Sequence, residues 1–253
     1  MILEIQGLHK TFNAGTIAKR HALDGVDLGI QENDFLVIVG ANGSGKSTLL
    51  NSLAGSILPD AGKIWLKGRD ISLLPAYKRS PWIARVFQDP LAGTAPALSV
   101  LDNFRLAALR HRKKTFRLGN SPAFRAEVSQ HIASLNMGLE HLLESPMGEL
   151  SGGQRQALTL LMCTMAPLEI LLLDEPTAAL DPRSARMIME VTAKLVEQYK
   201  LTAILITHNM QEALQYGNRL VQMQNGKIHR AYNQQEKAKL QLETLLAWFH
   251  YDI

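Results

Sequence analysis

Phe35-Leu-Val-Ile-Val39-Gly40-Ala41-Asn42-Gly43-Ser44-Gly45-Lys46-Ser47-Thr48 decides the fold of this 253-residue chain. Five consecutive apolar residues, Phe35 to Val39, suit a strand buried on both faces, as in the interior of a parallel sheet. The run meets Gly40, Gly43 and Gly45, which admit backbone conformations that side chains would block. A helix opens near Lys46. Strand, glycine-rich loop and helix in that order satisfy G-x-x-x-x-G-K-[ST], the context that phosphate binding needs. The amides of Gly43, Ser44 and Gly45 can wrap phosphate oxygens, and the helix N-terminus adds positive potential. Lys46 is expected at the β- and γ-phosphates and the Ser47 hydroxyl at Mg2+. Gly40 to Thr48 is thus the expected nucleotide loop.

Two further apolar runs end in polar residues that suit the same site. Ile170-Leu-Leu-Leu173 runs into Asp174 and Glu175, and Ala203-Ile-Leu-Ile206 runs into Thr207 and His208. Helical patterns separate the runs, notably Arg183 to Gln198. Buried strands alternating with helices predict an α/β core with a parallel sheet and ligands at the carboxyl ends of its strands. Asp174 can then hold Mg2+ through water, and Glu175 can polarise an attacking water. Ahead of the loop, Ile2 to Gln6 alternate as a strand should, and Leu23 to Ile30 suit a second one. From about Leu91 to Leu150 the runs suited to central strands vanish, and Ser99-Val-Leu-Asp102 reads as a capped helix start. The expected division is one domain over 1–253. Residues 1–90 and 151–230 form the α/β core with an N-terminal β part, 91–150 a helical insertion, and 231–253 one C-terminal amphipathic helix carrying Leu240, Leu242, Leu245, Leu246 and Phe249.

Composition narrows the classes. With 46% hydrophobic and 20% charged residues the chain can bury a large core. A net charge of +4, from 27 Lys and Arg against 23 Asp and Glu, is weak ground for nucleic-acid binding, and none is expected. Cys163, the single cysteine, lies in an apolar run and reads as a buried thiol. The first residues lack the pattern of a secretory leader. Ala157 to Leu173 is broken by Pro167 and Glu169, short of the roughly 20 apolar residues a membrane helix needs. The basic run Arg110-His-Arg-Lys-Lys114, with Arg117 and Arg125, is read first as a solvated face; a contact with lipid headgroups or an acidic partner loop is the second reading. Trp248, Phe249 and Tyr251 are expected to pack on the core.

Leu150-Ser151-Gly152-Gly153-Gln154 adds a second anion site. Ser151 is a good N-cap ahead of an apolar helix, and the free amides there suit a phosphate. A merely capped helix explains Ser151 but leaves Gly152, Gly153 and Gln154 without a reason. Together with Gly40–Thr48, Asp174-Glu175 and His208, the pentapeptide makes the chain resemble the ATP-binding subunit of an ABC (ATP-binding cassette) system over nearly its whole length. The resemblance implies a P-loop NTPase, RecA-like α/β core with N-terminal antiparallel strands and an inserted helical subdomain, using ATP and Mg2+. It implies ATP hydrolysis with Glu175 as catalytic base and His208 as the switch histidine at the γ-phosphate. It places Gln88, in Val86-Phe-Gln-Asp-Pro90, at metal and water, with its segment leaning on a membrane partner. Asp181, in Ala178-Ala-Leu-Asp181, matches the D-loop, with alanine where serine is common. Phe12 falls where the family's adenine-stacking aromatic lies; a core phenylalanine is its other reading. Ser151 to Gln154 would serve the γ-phosphate on a second copy, joined head to tail.

Three readings of the cassette compete: the energising subunit of a transporter, a soluble cassette ATPase as in iron–sulfur assembly or DNA repair, and a regulatory assembly module. One cassette, a Q-loop at Gln88 and no fused membrane domain favour transport, with separate integral membrane permease subunits as partners. Phe87-Gln-Asp-Pro-Leu-Ala-Gly-Thr-Ala-Pro96, and Leu161-Met-Cys163 in place of the common Ala-Arg-Ala, resemble a bacterial importer group that works with a substrate-binding protein and for which aromatic amino acids are the suggested cargo. The expected location is cytoplasmic, on the inner face of the membrane through the permease.

Overall fold

The computed structural model describes residues 1–111 and 121–250. The chain opens with strands β1 (Leu3–Phe12) and β2 (Arg20–Ile30), followed by β3 (Phe35–Val39) and helix α1 (Lys46–Ala54). Next come β4 (Ala61–Leu66), β5 (Arg69–Asp70), α2 (Ala76–Arg79) and β6 (Ile83–Val86). A helical stretch holds α3 (Val100–Ala108), α4 (Pro122–Ala133) and α5 (Gly152–Cys163). Then β7 (Ile170–Asp174), α6 (Pro182–Gln198), β8 (Thr202–Ile206), α7 (Met210–Gln215), β9 (Arg219–Gln224) and β10 (Lys227–Tyr232) lead to α8 (Gln234–Lys237) and α9 (Leu242–His250).

Two sheets result. The N-terminal one is antiparallel, in the order β2-β1-β4-β5. The central one runs β10-β9-β3-β8-β7-β6, parallel throughout except for the β10 edge. Side-chain alternation explains how the central sheet is covered on both faces. Leu36, Ile38, Leu172 and Ile204 pack with Leu49, Leu50 and Leu53 of α1 and with Leu3, Ile5 and Leu23 of the antiparallel sheet. Val37, Val39, Leu171, Leu173 and Leu205 face the other way, onto Phe104 of α3, Leu158 and Leu161 of α5, and Ile188 and Leu195 of α6. Each such fully buried aliphatic side chain contributes roughly 1.5–3 kcal/mol. Cys163 lies inside this second layer, where burial pushes its thiol up to about 11, so it stays protonated and inert at neutral pH. Among the described residues no helix is long and apolar enough to cross a membrane.

The tail departs from the expected single helix. Asn233 accepts from the amides of Gln235 and Glu236, while Glu236 reaches back to the Asn233 amide, so a cap starts α8 here. The helix then tightens: Lys239 bonds back to Glu236, and Leu240 to Lys237, which ends it before α9 begins. Leu245 of α9 is fully buried, Leu246 is exposed, and Trp248 stacks on Tyr232 at 5.6 Å. The side chain of Phe249, and all of Tyr251, lie outside the described residues.

The basic run also differs. Arg110 donates to the Cys163 carbonyl, at the C-terminal end of α5, and Arg125 pairs with Glu144. A cation at that helix end is favoured by the dipole, so Arg110 is part of the packing and not a solvated face. Residues 112–114 and Arg117 lie outside the described residues.

Among the described residues Arg79 is the most deeply buried cation, at 0% exposure. Its guanidinium donates to the carbonyls of Ser52 (2.6 Å), Leu53 (2.9 Å), Ser72 (3.0 Å) and Leu74 (2.7 Å). Two of these close the C-terminal turn of α1, which has no further helix to satisfy them. Burial pulls its pKa to about 10, which still leaves it charged at neutral pH. Arg79→Met is expected to destabilise the fold by about 3 kcal/mol, because buried carbonyls lose their donors. Urea unfolding measures the loss; a midpoint unchanged from the wild type would contradict it.

Candidate functional site

The carboxyl ends of four parallel strands meet at one edge of the central sheet. Register sets them level: Ile38 faces Ile206, Asp174 faces Ile206, and Leu173 faces Val86. The residues at and just beyond the strand ends therefore share one rim: Gly40–Thr48 after β3, His208 after β8, Asp174-Glu175 at β7, and Gln88 after β6. The separate motifs converge here.

The loop between β3 and α1 fits tightly under its neighbours. Gly45 is the N-cap of α1 at φ 105°, a left-handed conformation, and a Cβ there would be driven into the Ala22 carbonyl. A Cβ on Gly40 would strike the Met223 carbonyl. Arg20, opposite Phe12 in the β1–β2 ladder, donates to the Gly43 carbonyl. The Ser44 amide closes a turn onto Ala41, and its hydroxyl is buried without a hydrogen-bond partner. Lys46 is buried, with its ammonium on the carbonyls of Gly40 (2.7 Å) and Ala41 (3.0 Å). Burial pulls Lys46 below the usual lysine range, and the Glu175 and Asp174 carboxylates pull it back up. Ser47 is exposed at the first turn of α1, Thr48 is half-buried, and Asn42 and Gly43 are open to solvent.

Glu175 adopts φ 46°, an unfavourable left-handed conformation for a non-glycine residue, held by its amide on the Ile206 carbonyl at 3.0 Å. That turn sets its Oε2 3.0 Å from His208 Nδ1. Asp174 Oδ2 pairs with Arg85 at 2.5 Å. Gln88 is exposed at the rim.

The remaining expected residues sit on the elements that flank this rim, Phe12 opposite the Arg20 that donates to the Gly43 carbonyl. Ser151 caps α5 and accepts from the Gln154 amide at 3.3 Å, while the Gln154 side chain accepts from the Ser151 amide at 3.0 Å. This reciprocal box explains Gln154 structurally, contrary to the reading that a cap explains Ser151 alone. Gly152 and Gly153 also have packing reasons: a Cβ would lie 3.1 Å from Leu180 on the first and 3.2 Å from Ser184 of α6 on the second. Among the described residues, no hydrogen bond or ion pair links 151–154 to 40–48, Asp174, Glu175 or His208. Asp181 caps α6, and the Ser184 hydroxyl and amide hold its carboxyl below the usual range. Phe12 is half-buried at the end of β1 and outside both cores, which removes the core reading.

Several contributors escaped the sequence. Arg85 is one. Buried Gln156 of α5 donates to the carbonyls of Phe87 and Pro176, tying that helix to the segments after β6 and β7. Glu212 accepts from the Thr177 hydroxyl at 3.0 Å and the Thr207 hydroxyl at 2.7 Å, clamping the segments that carry Glu175 and His208. Only Glu212 had a local signal, the spacing Asn209-Met-Gln-Glu212 of a helix start. Beside Gln88, Phe87, Thr94, Asn103, Leu106 and Arg110 line a cleft of about 490 Å3 between the sheet and the helical stretch.

A family model described as "ABC transporter" matches residues 23–178. The chain is 36% identical, over the whole of both sequences, to the tyrosine transport ATP-binding protein of Clostridioides difficile. It is also 36% identical to the sulfate/thiosulfate import ATP-binding protein CysA of Pseudomonas aeruginosa over 228 residues, which cover 90% of this chain and 65% of that longer one. The fold superposes, with a TM-score of 0.77 and 26% identity, on a dimeric ATP-binding cassette in a post-hydrolysis state with ADP and phosphate, covering 92% of this chain and 99% of that one.

Proposed function

The chain belongs to the ABC transporter family and is its ATP-hydrolysing subunit, and we propose that it powers the import of an aromatic amino acid. The observation that carries the cargo class is the 36% identity to a tyrosine transport subunit, which covers 100% of both sequences. In this reading Gly40–Thr48 cradles the phosphates of ATP, with Lys46 swinging from the Gly40 and Ala41 carbonyls to phosphate oxygens. The buried, unpartnered Ser44 hydroxyl and the glycine-lined loop fit that ligand. Phe12 stacks on the base. Ser47, Asp174 and Gln88 form an all-oxygen set suited to Mg2+, which would neutralise phosphate charge. Glu175 takes the proton of the attacking water, and His208, 3.0 Å away, orients Glu175 and reaches the γ-phosphate.

Ser151–Gln154 and Asp181 act on the ATP of a second copy, and the dimeric cassette that this fold matches supports such pairing. The cleft beside Gln88 receives a membrane permease, so that closure of the dimer is felt by the transport path. A substrate-binding protein completes the system, and the subunit works at the inner face of the membrane. Replacing the chromosomal copy with Glu175→Gln tests the cargo. Uptake of labelled tyrosine or phenylalanine should fall by about tenfold or more, since general-base loss removes at least that much turnover. Unchanged aromatic uptake with lost sulfate uptake would reject the aromatic cargo.

A further inference from the structure

Arg85 stands where two parts of the molecule meet. It lies on β6, paired in register with Leu172, and its side chain is 14% exposed. One nitrogen donates to Asp174 Oδ2 at 2.5 Å and another to Asn51 Oδ1 of α1 at 2.6 Å, with the guanidinium 4.6 Å above the Phe87 ring. The same side chain lines the cleft beside Gln88. Nothing in this set resembles a surface ion pair: both partners are largely withdrawn from water, and the fork holds two different acceptors.

The charges at the rim give this contact a consequence. Asp174 and Glu175 are adjacent carboxylates; among the described residues Lys46 acts on both, Arg85 pairs with Asp174, and the His208 ring meets Glu175. Lys46 is assigned to the phosphates, so Arg85 is the counter-charge left for Asp174. A divalent cation drawn to the same carboxylate works against the guanidinium. We propose that Arg85 is a positioning residue that competes with the metal for Asp174, and so sets how strongly metal and nucleotide reinforce each other. Its second contact surface, the cleft, lets an occupant there loosen or tighten that hold.

The proposal rests on Asp174 belonging to the metal site, and the test separates the two claims. The readout is the affinity of a fluorescent, non-hydrolysable ATP analogue for the full chain, measured in EDTA and in saturating Mn2+. The ratio of the two dissociation constants is the metal–nucleotide coupling. Arg85→Gln and Arg85→Met remove the cation, and the ratio should rise about tenfold, because one unit charge beside a divalent ion is worth at least that in a half-buried site. Arg85→Lys keeps the charge and should stay within about twofold of wild type. A purely structural role would weaken both affinities together and leave the ratio unchanged in every variant, which would overturn the proposal. Asp174→Asn should lower the ratio. If it does not, the metal assignment of Asp174 falls and this proposal with it; if it does while Arg85→Gln leaves the ratio unmoved, only the role of Arg85 falls.

Discussion

Glu175→Gln is expected to cut steady-state ATP turnover by about a thousandfold, the middle of the range for losing a general base. ATP affinity should hold or improve. The reason lies in what the substitution spares. Glutamine keeps the length, the branched end and one oxygen acceptor for His208, which sits 3.0 Å from the present carboxylate. The left-handed turn at φ 46° and the amide bond to Ile206 belong to the backbone and survive. What goes is a site for the water's proton, and one negative charge facing the phosphates. ATP should therefore bind, stay, and hold two copies together. Phosphate release and light scattering with ATP and Mg2+ read both effects. A variant that stays monomeric and fully active would remove Glu175 as the base.

The strand–loop–helix passage was legible because its signals are local. Five apolar residues, glycines at fixed spacing and a helix start need no distant partner to be recognised. Strands β6 and β9 were not legible for the opposite reason. Ile83-Ala-Arg-Val86 carries Arg85, and Arg219-Leu-Val-Gln-Met-Gln224 carries buried Gln222, so neither shows a clean apolar run. Arg85 is tolerated by a partner, Asp174, that lies 89 positions away in the chain. No pattern of period two or 3.6 announces such a pairing. The tail failed differently: its leucines do have helical spacing, but Asn233 and Glu236 form a box that starts a short helix first, and the bonds of Lys239 to Glu236 and Leu240 to Lys237 close it. Gln154 was legible and misread, since Ser151-x-x-Gln154 is itself a capping signature.

That misreading changes what the pentapeptide proves. Cap, box and close packing on Leu180 and Ser184 explain its residues within one chain, so the case for a shared site needs an experiment that locality cannot satisfy. Ser151→Arg supplies it. Loss of the cap should lower stability by only about 1 kcal/mol, and Arg20, Lys46, Asp174, Glu175 and His208 keep every contact they have. ATP affinity should therefore stay within about twofold, since the chain's own phosphate loop is untouched. Turnover should fall at least about a hundredfold, because a bulky cation replaces a hydroxyl and sits at a helix N-terminus meant for an anion. Local packing alone predicts no such split between binding and turnover. Mixing decides the matter. Ser151→Arg supplies an intact Glu175, and Glu175→Gln supplies an intact Ser151. A head-to-tail pair of the two holds one complete site, and random pairing restores about a quarter of the sites of the wild type. Phosphate release from the mixture should exceed the sum of the two variants alone. If Ser151→Arg is fully active by itself, or the mixture gains nothing, each chain carries its whole active site and the shared-site reading is wrong.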